Sequence, residues 1–203
     1  MKEISALQKA RYQYNPKLPK EISGNVSNIA IKFGDPTQSI DNQEKVKEMF
    51  PNTYGKPIAR FVEGKNENAS KKINVGVILS GGQAPGGHNV IAGLFDGIKK
   101  GNIDSKLFGF LGGPSGIVED KKVEITKEFI DEYRNTGGFD IIGSGRTKLE
   151  SEEQFDTAIE VCKKNNITAV VIIGGDDSNT NAALMAEYFM KKRSGIQVIG
   201  CPK

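Results

Sequence analysis

The sequence predicts an α/β fold: three αβα layers around a mostly parallel, doubly wound sheet, preceded by an N-terminal extension. Three observations carry this. Continuous apolar, β-branched runs such as "INVGVILS" (73–80) and "ITAVVIIGG" (167–175) have the pattern of strands buried on both faces. Segments with helical apolar spacing alternate with these runs, which makes βαβ units. Glycine, 24 of 203 residues, concentrates in loops at 80–87, 109–116, 137–145 and 174–175. Loops that follow parallel strands gather on one edge of the sheet, where such folds bind their ligands.

Taken in order, residues 1–72 hold Pro16, Pro19, Pro36, Pro51 and Pro57, little periodicity, and short elements at "NIAIKF" and "NQEKVKEMF". "EGKNENASKK" (63–72) reads as an exposed linker. This extension packs either on the core or on a partner, with Tyr12 and Tyr14 as possible anchors. A second unit, 73–203, opens with the strand at 73–80. A helix over 86–100 follows, with Val90, Leu94, Phe95 and Ile98 on one face. "KLFGFLGG" (106–113) is a strand entering a glycine loop. The segment 125–138 reads as a helix with Thr126 as N-cap and Gly137 as its end, and "FDIIGSG" (139–145) as another strand. Ser151 starts a helix through Lys164, 167–175 is the second continuous strand, 178–192 a helix, and "IQVIGC" (196–201) the last strand. A doubly wound domain normally continues past such a strand, so the sheet is expected to be incomplete at the C-terminus and the chain a piece of a longer polypeptide.

Composition excludes several classes of function. A net charge of +3 makes no case for nucleic acid or an anionic membrane, and "MKKR" (190–193) reads as a solvated helix end. The N-terminus is too polar for a signal peptide, and no apolar run approaches ~18 residues. Cys162 and Cys201 lie far apart without metal-ligand spacing, which fits buried free thiols in a reducing compartment. A cytoplasmic protein is expected.

Three loops carry chemistry. "LSGGQAPGGHNV" (79–90) is strand, glycine loop, helix: either an anion cradle of free N–H groups or a tight turn. It matches neither the P-loop nor the spaced dinucleotide fingerprint. His88, the only histidine, stands at the helix start in a packing or capping role. "GSGRTK" (143–148) places Arg146 and Lys148 on the binding edge. Arg146 can fork onto phosphoryl oxygens or pair with Glu150 or Glu152. In "GGDDSN" (174–179), Asp177 or Ser178 could cap a helix, yet adjacent carboxylates repel unless a cation relieves them. Asp176, ending a strand, is a natural Mg²⁺ ligand, since that ion takes one or two carboxylates plus substrate phosphates.

With these loops in order, the sequence resembles the phosphofructokinases, and among them the long-form, pyrophosphate-dependent enzymes. "GVILSGGQAPGGHNVIAG", "KLFGFLGGPSG", "YRNTGGFDIIGSGRTK", "AVVIIGGDDSNTNAA" and "VIGCPK" carry the likeness, from about residue 73 to the last, and "FGDPTQSI" through "NTYGKP" looks like that form's N-terminal segment. The resemblance implies Mg²⁺-dependent, reversible phosphoryl transfer from pyrophosphate to the 1-hydroxyl of fructose 6-phosphate. It implies pyrophosphate binding by Gly81, Gly82, Arg146, Ser178 and Lys203, catalysis by Arg146 and Lys203, and Asp176 on the metal. Asp177 and Lys203 stand where ATP-using members have glycine, so the pair implies choice of pyrophosphate; Pro114 stands near the position of the adenine-contacting aromatic. The family's general-base Asp and most sugar-phosphate ligands follow the motif "PK", so the 203-residue chain alone is expected to be inactive. A cytoplasmic homo-oligomer, most simply a homodimer, is implied. An ATP-dependent phosphofructokinase and a non-catalytic regulatory subunit of the same fold are the alternatives.

Overall fold

The computed structural model describes residues 4–203. The extension contributes helix α1 (Ala6–Gln13), strand β1 (Ile29–Pro36), helix α2 (Gln43–Met49) and strand β2 (Pro57–Glu63), with β1 and β2 paired as an antiparallel ribbon. The rest runs β3 (Asn74–Leu79), α3 (Gly87–Gly101), β4 (Lys106–Phe110), α4 (Ser115–Val118), β5 (Lys122–Ile125), α5 (Lys127–Asp131), α6 (Glu152–Lys164), β6 (Ile167–Gly174), α7 (Asp176–Lys191) and β7 (Gln197–Pro202). The central sheet has the order β5-β4-β3-β6-β7, parallel except for β5, which folds back on β4.

Every residue of β3 is buried, as its unbroken apolar run requires. Alternate residues serve opposite faces. Ile78, Val170 and Ile172 pack with Phe155 and Ile159 of α6 and Met185 and Phe189 of α7. Val77, Leu79, Val171 and Ile173 pack with Ile91, Phe95 and Ile98 of α3 and with Ile130 of α5. Each such side chain contributes about 1.5–3 kcal/mol by leaving water, and the two clusters are what make the fold three layers. On α3 the central contacts come from Ile91 and Phe95, while Val90 and Leu94 are only half-buried at the flanks. Helix α6 begins as a full capping box, Ser151 accepting from the Gln154 N–H while Gln154 accepts from the Ser151 N–H.

Two expectations fail, and for related reasons. Residues 139–145 form no strand: the segment turns at Asp140–Gly143 and touches the sheet only through the bridge between Ser80 and Gly145. Phe139, Ile141 and Ile142 are buried there because they plug the end of the core, so an apolar composition arises without a ladder. Gly113 and Gly145 allow this close crossing; a Cβ on Gly113 would lie 2.3 Å from the Gly145 nitrogen. The helix expected over 125–138 is the single turn and a half of α5, capped by Thr126 as anticipated. Arg134 breaks it by forking onto Asp96 of α3 at 2.7 and 2.8 Å and bonding Asp131 at 2.6 Å, after which Asn135 takes a left-handed conformation. β5 has no sequence signature because "KVEI" is too short to show a period.

The extension packs on the core of its own chain. Glu187 of α7 accepts hydrogen bonds from the backbone N–H groups of Asn52 and Thr53 and from the Thr53 hydroxyl at 2.8 to 3.1 Å. Burial works against its charge, but these donors outweigh it and hold the carboxyl below its usual range. Asn135 Nδ2 donates to the carbonyls of Arg11 and Tyr14, and Lys100 donates to that of Gly24. Tyr12 and Tyr14 are not the anchors: both side chains are exposed, and backbone carbonyls make the contact.

Candidate functional site

The carboxyl ends of β3 and β6 form the floor of the site. At the end of β3 the chain passes Ser80 into Gly81, whose φ of +87° disfavours any side chain and whose N–H donates to the Gly145 carbonyl at 2.8 Å. The glycine loop therefore lies beside the segment that carries Arg146. A Cβ on Gly82 would sit 3.3 Å from the Arg146 guanidinium, and one on Gly81 would sit 3.6 Å from Lys203 Nζ and 3.7 Å from Ser178 Oγ. Three of the residues singled out from sequence, Arg146, Ser178 and Lys203, thus converge on the Gly81–Gly82 loop.

Helix α7 starts at Asp176 with Gly175 as N-cap and no side-chain cap, so Asp176 opens the helix rather than ending the strand, and Asp177 and Ser178 are not caps. Ser178 is buried and its hydroxyl donates to Ser80 Oγ at 2.8 Å, tying α7 to the end of β3. Both aspartates are exposed in the first turn of the 16-residue helix, where the macrodipole favours negative charge. Asp177 reaches Lys148 at 3.5 Å. Arg146 has no ion pair among the described residues, and Glu152 pairs instead with Lys191 at 3.2 Å. The cleft is lined by Ser80, Gly81, Arg146, Thr147, Lys148, Asp177, Ser178 and Asn181. Pro114 is buried at the start of α4 and takes no part in it.

Sequence reading missed Asn181 and Phe139. Asn181 Oδ1 accepts from the Leu149 N–H at 3.1 Å and its Nδ2 donates to the Leu149 carbonyl at 2.6 Å, which clasps the Arg146–Lys148 segment to α7. A polar residue one turn after Asp177, on the apolar face of a helix, was the available signal. Phe139 lies under Lys203, whose ammonium is 4.4 Å from the ring centroid; nothing local in the sequence marks that contact.

His88 holds the wall behind the loop. Its Nε2 accepts from the N–H groups of Asp140 and Ile141 at 3.0 and 3.1 Å, while Nδ1 donates to Thr136 Oγ1 at 2.6 Å. Thr136 passes that hydrogen bond to the Tyr133 carbonyl. The ring is 3 % exposed, and burial lowers its pKa below the ordinary 6.5, with Asp140 opposing. The packing role anticipated for it holds. The unfolded chain takes up a proton near pH 6.5 and the folded one does not, so stability is full above that pH and is lost as pH falls through 6.5 toward the lowered folded value. The unfolding free energy from urea titrations is expected to fall between pH 7.5 and 5.5, by at most about 1.4 kcal/mol per pH unit from this group. His88→Gln should flatten that interval; an unchanged slope would refute the neutral ring. Cys162 is buried and its thiol is pushed up to about 12, which makes it inert, whereas Cys201 is half-buried rather than buried.

No group of three or more His, Cys, Asp or Glu side chains could hold a metal among the described residues. The donor chemistry still fits a hard cation that completes its shell with phosphates. Asp176 offers an exposed carboxylate with no ion-pair partner among the described residues, two residues before Ser178, which reaches the glycine loop.

The carboxyl edge of a mostly parallel α/β sheet here brings together a glycine loop, the cations Arg146, Lys148 and Lys203, and two carboxylates at a helix start. The family model described as Phosphofructokinase matches residues 74–203, and the chain belongs to that family. It is 56 % identical over 199 residues to the pyrophosphate–fructose 6-phosphate 1-phosphotransferase of Porphyromonas gingivalis, covering 98 % of this chain and 36 % of the relative. It is 54 % identical to the protein of that name from Entamoeba histolytica, with the same coverage. An Arabidopsis thaliana protein called subunit alpha 2 of that enzyme is 36 % identical over 99 % of this chain and 34 % of its own length. The chain thus spans about a third of the length of these curated relatives. Among solved structures, a pyrophosphate-dependent phosphofructokinase from Nitrosospira multiformis matches with a TM-score of 0.56 at 22 % identity, over 66 % of this chain and 34 % of that one. That likeness speaks to the fold. No helix among the described residues is long and apolar enough to cross a membrane.

Proposed function

We propose that this chain supplies the phosphate-donor half of a pyrophosphate-dependent phosphofructokinase, transferring a phosphoryl group reversibly to the 1-hydroxyl of fructose 6-phosphate. Residues 73–203 are the donor-binding domain and 1–72 its extension and linker. The observation that carries this is the convergence of Lys203, Arg146 and Ser178 on the Gly81–Gly82 loop, with Asp177 on the wall of the same cleft. The names of the relatives support it.

In this mechanism Gly81 and Gly82 let pyrophosphate approach the backbone, and the Arg146 guanidinium and Lys203 ammonium hold its phosphoryl oxygens. The sugar oxygen attacks one phosphorus, the bridging P–O bond breaks, and phosphate leaves with its charge met by Arg146 and Lys203. The hydroxyl proton goes to the general-base Asp that the family places after "PK". Asp176 would hold Mg²⁺, which when bound neutralises the phosphate oxygens. Asp177 occupies space and carries charge where the α-phosphate of ATP would have to lie, and so excludes the nucleotide. A cytoplasmic homo-oligomer, most simply a homodimer, completes the proposal; the plant relatives bear subunit names.

A donor swap in the complete gene product tests it. Fructose 6-phosphate should be phosphorylated with pyrophosphate and Mg²⁺, and by at least two orders of magnitude less efficiently with ATP. Equal use of ATP, or no turnover with pyrophosphate, would overturn the assignment.

A further inference from the structure

We propose that Phe139 is a positioning residue for Lys203. The face of its ring seats the ammonium over the Gly81–Gly82 loop, so the charge stands ready before a phosphoryl ligand arrives. The inference rests on the loop being the pyrophosphate cradle.

Lys203 Nζ lies 4.4 Å from the Phe139 ring centroid, inside the ~6 Å range in which a ring face attracts a cation. Its other contact is a hydrogen bond to the Gly82 carbonyl. A lysine on a flexible four-carbon stem would otherwise sample many positions at an exposed site. No carboxylate of the described residues pairs with Lys203, and Asp177, the acidic residue among those lining the cleft, pairs with Lys148. The cations of the site therefore divide: Lys148 answers Asp177, and Lys203 is left to the ring.

The ring itself cannot retreat. Phe139 is 1 % exposed, and its edge fills the space where Gly87 has no side chain; a Cβ there would lie 2.3 Å from Cδ2. Its backbone is sewn to the start of α3 on both sides. Gly86 N donates to the Gly137 carbonyl at 3.1 Å and His88 N to that of Gly138 at 3.0 Å. His88 Nε2 accepts from Asp140 and Ile141. A seat made of a π face has a chemical advantage here. A carboxylate would hold the lysine more strongly but would cancel its charge and repel the phosphate. The ring attracts the ammonium and leaves the full charge facing the ligand.

The test replaces Phe139 in the complete gene product by mono-, di- and trifluorinated phenylalanine, which drain the negative face of the ring with little change in size. KM for pyrophosphate is expected to rise stepwise with fluorination, by roughly three- to tenfold at the trifluoro stage, while KM for fructose 6-phosphate stays constant. Phe139→Leu should match the trifluoro protein. A flat fluorination series would overturn the proposal, because a merely structural ring would tolerate all three. The contact is read separately from turnover by carbon-13 NMR of lysine Cε. The Lys203 methylene protons should be shifted upfield by the ring current and return to the exposed-lysine position in Phe139→Leu; no upfield shift in the unaltered protein also overturns it. A contact without pyrophosphate turnover would instead overturn the functional assignment, and with it the phosphoryl role of the seat.

Discussion

Replacing Asp177 by glycine in the complete gene product is expected to raise kcat/KM for ATP by between ten- and a thousandfold, with a smaller loss for pyrophosphate. Two like charges at ~4 Å repel by about 4 kcal/mol at an effective dielectric near 20 and about 1 kcal/mol in bulk water. The Asp177 side chain is 86 % exposed and within 3.5 Å of Lys148. The charge term alone therefore lies toward the lower figure, and the remainder of the effect must come from the volume of the carboxylate and from closure of the site around ligand. Asp177→Asn separates the two: it keeps the volume and removes the charge. If Asn behaves like Asp, exclusion is steric; if it behaves like Gly, exclusion is electrostatic. No change in donor preference with either substitution would end the exclusion argument. Lys148 enters the same experiment, because without its partner aspartate a free cation is released at the mouth of the cleft.

Arg146→Ala is expected to lower kcat/KM with pyrophosphate by about 10²- to 10³-fold, the usual loss when one preorganised donor to a developing anion is removed. Arg146→Lys should recover part of this, since it keeps a charge and loses the planar fork. Folding stability should change by no more than about 0.5 kcal/mol, because the side chain is exposed and no carboxylate of the described residues pairs with it. Urea midpoints beside steady-state rates check both halves of the statement. A large drop in midpoint, or a rate loss below about fivefold, would move Arg146 from chemistry to scaffold.

The parts of this molecule that were legible in its sequence are those whose information is local. β3 and β6 show as unbroken apolar runs, α6 by its start at Ser151 and its end at Lys164, and both glycine loops as the punctuation between strand and helix. The candidate site was legible to the extent that its residues sit in such loops, and the resemblance of five separate motifs then gave each a role. The segment 139–145 is a plug rather than the expected strand, since an apolar plug and a buried strand have the same composition and only the backbone partners differ. The helix expected over 125–138 is shorter in the structure because Arg134, just past its end, binds Asp96 of a different helix, a contact no local pattern shows.

The sequence by itself determined an α/β sheet with its glycine loops on one edge, because side-chain periodicity and turn chemistry depend only on near neighbours in the chain. The tertiary structure decided which side chains share that edge. The pairing of Lys148 with Asp177 spans helix and loop, the clasp of Asn181 on Leu149 fixes the arm that bears Arg146, and the seat of Lys203 on Phe139 joins residues 64 positions apart by their numbers. Such contacts form only once parallel strands have closed over their crossovers, so no local pattern could announce them.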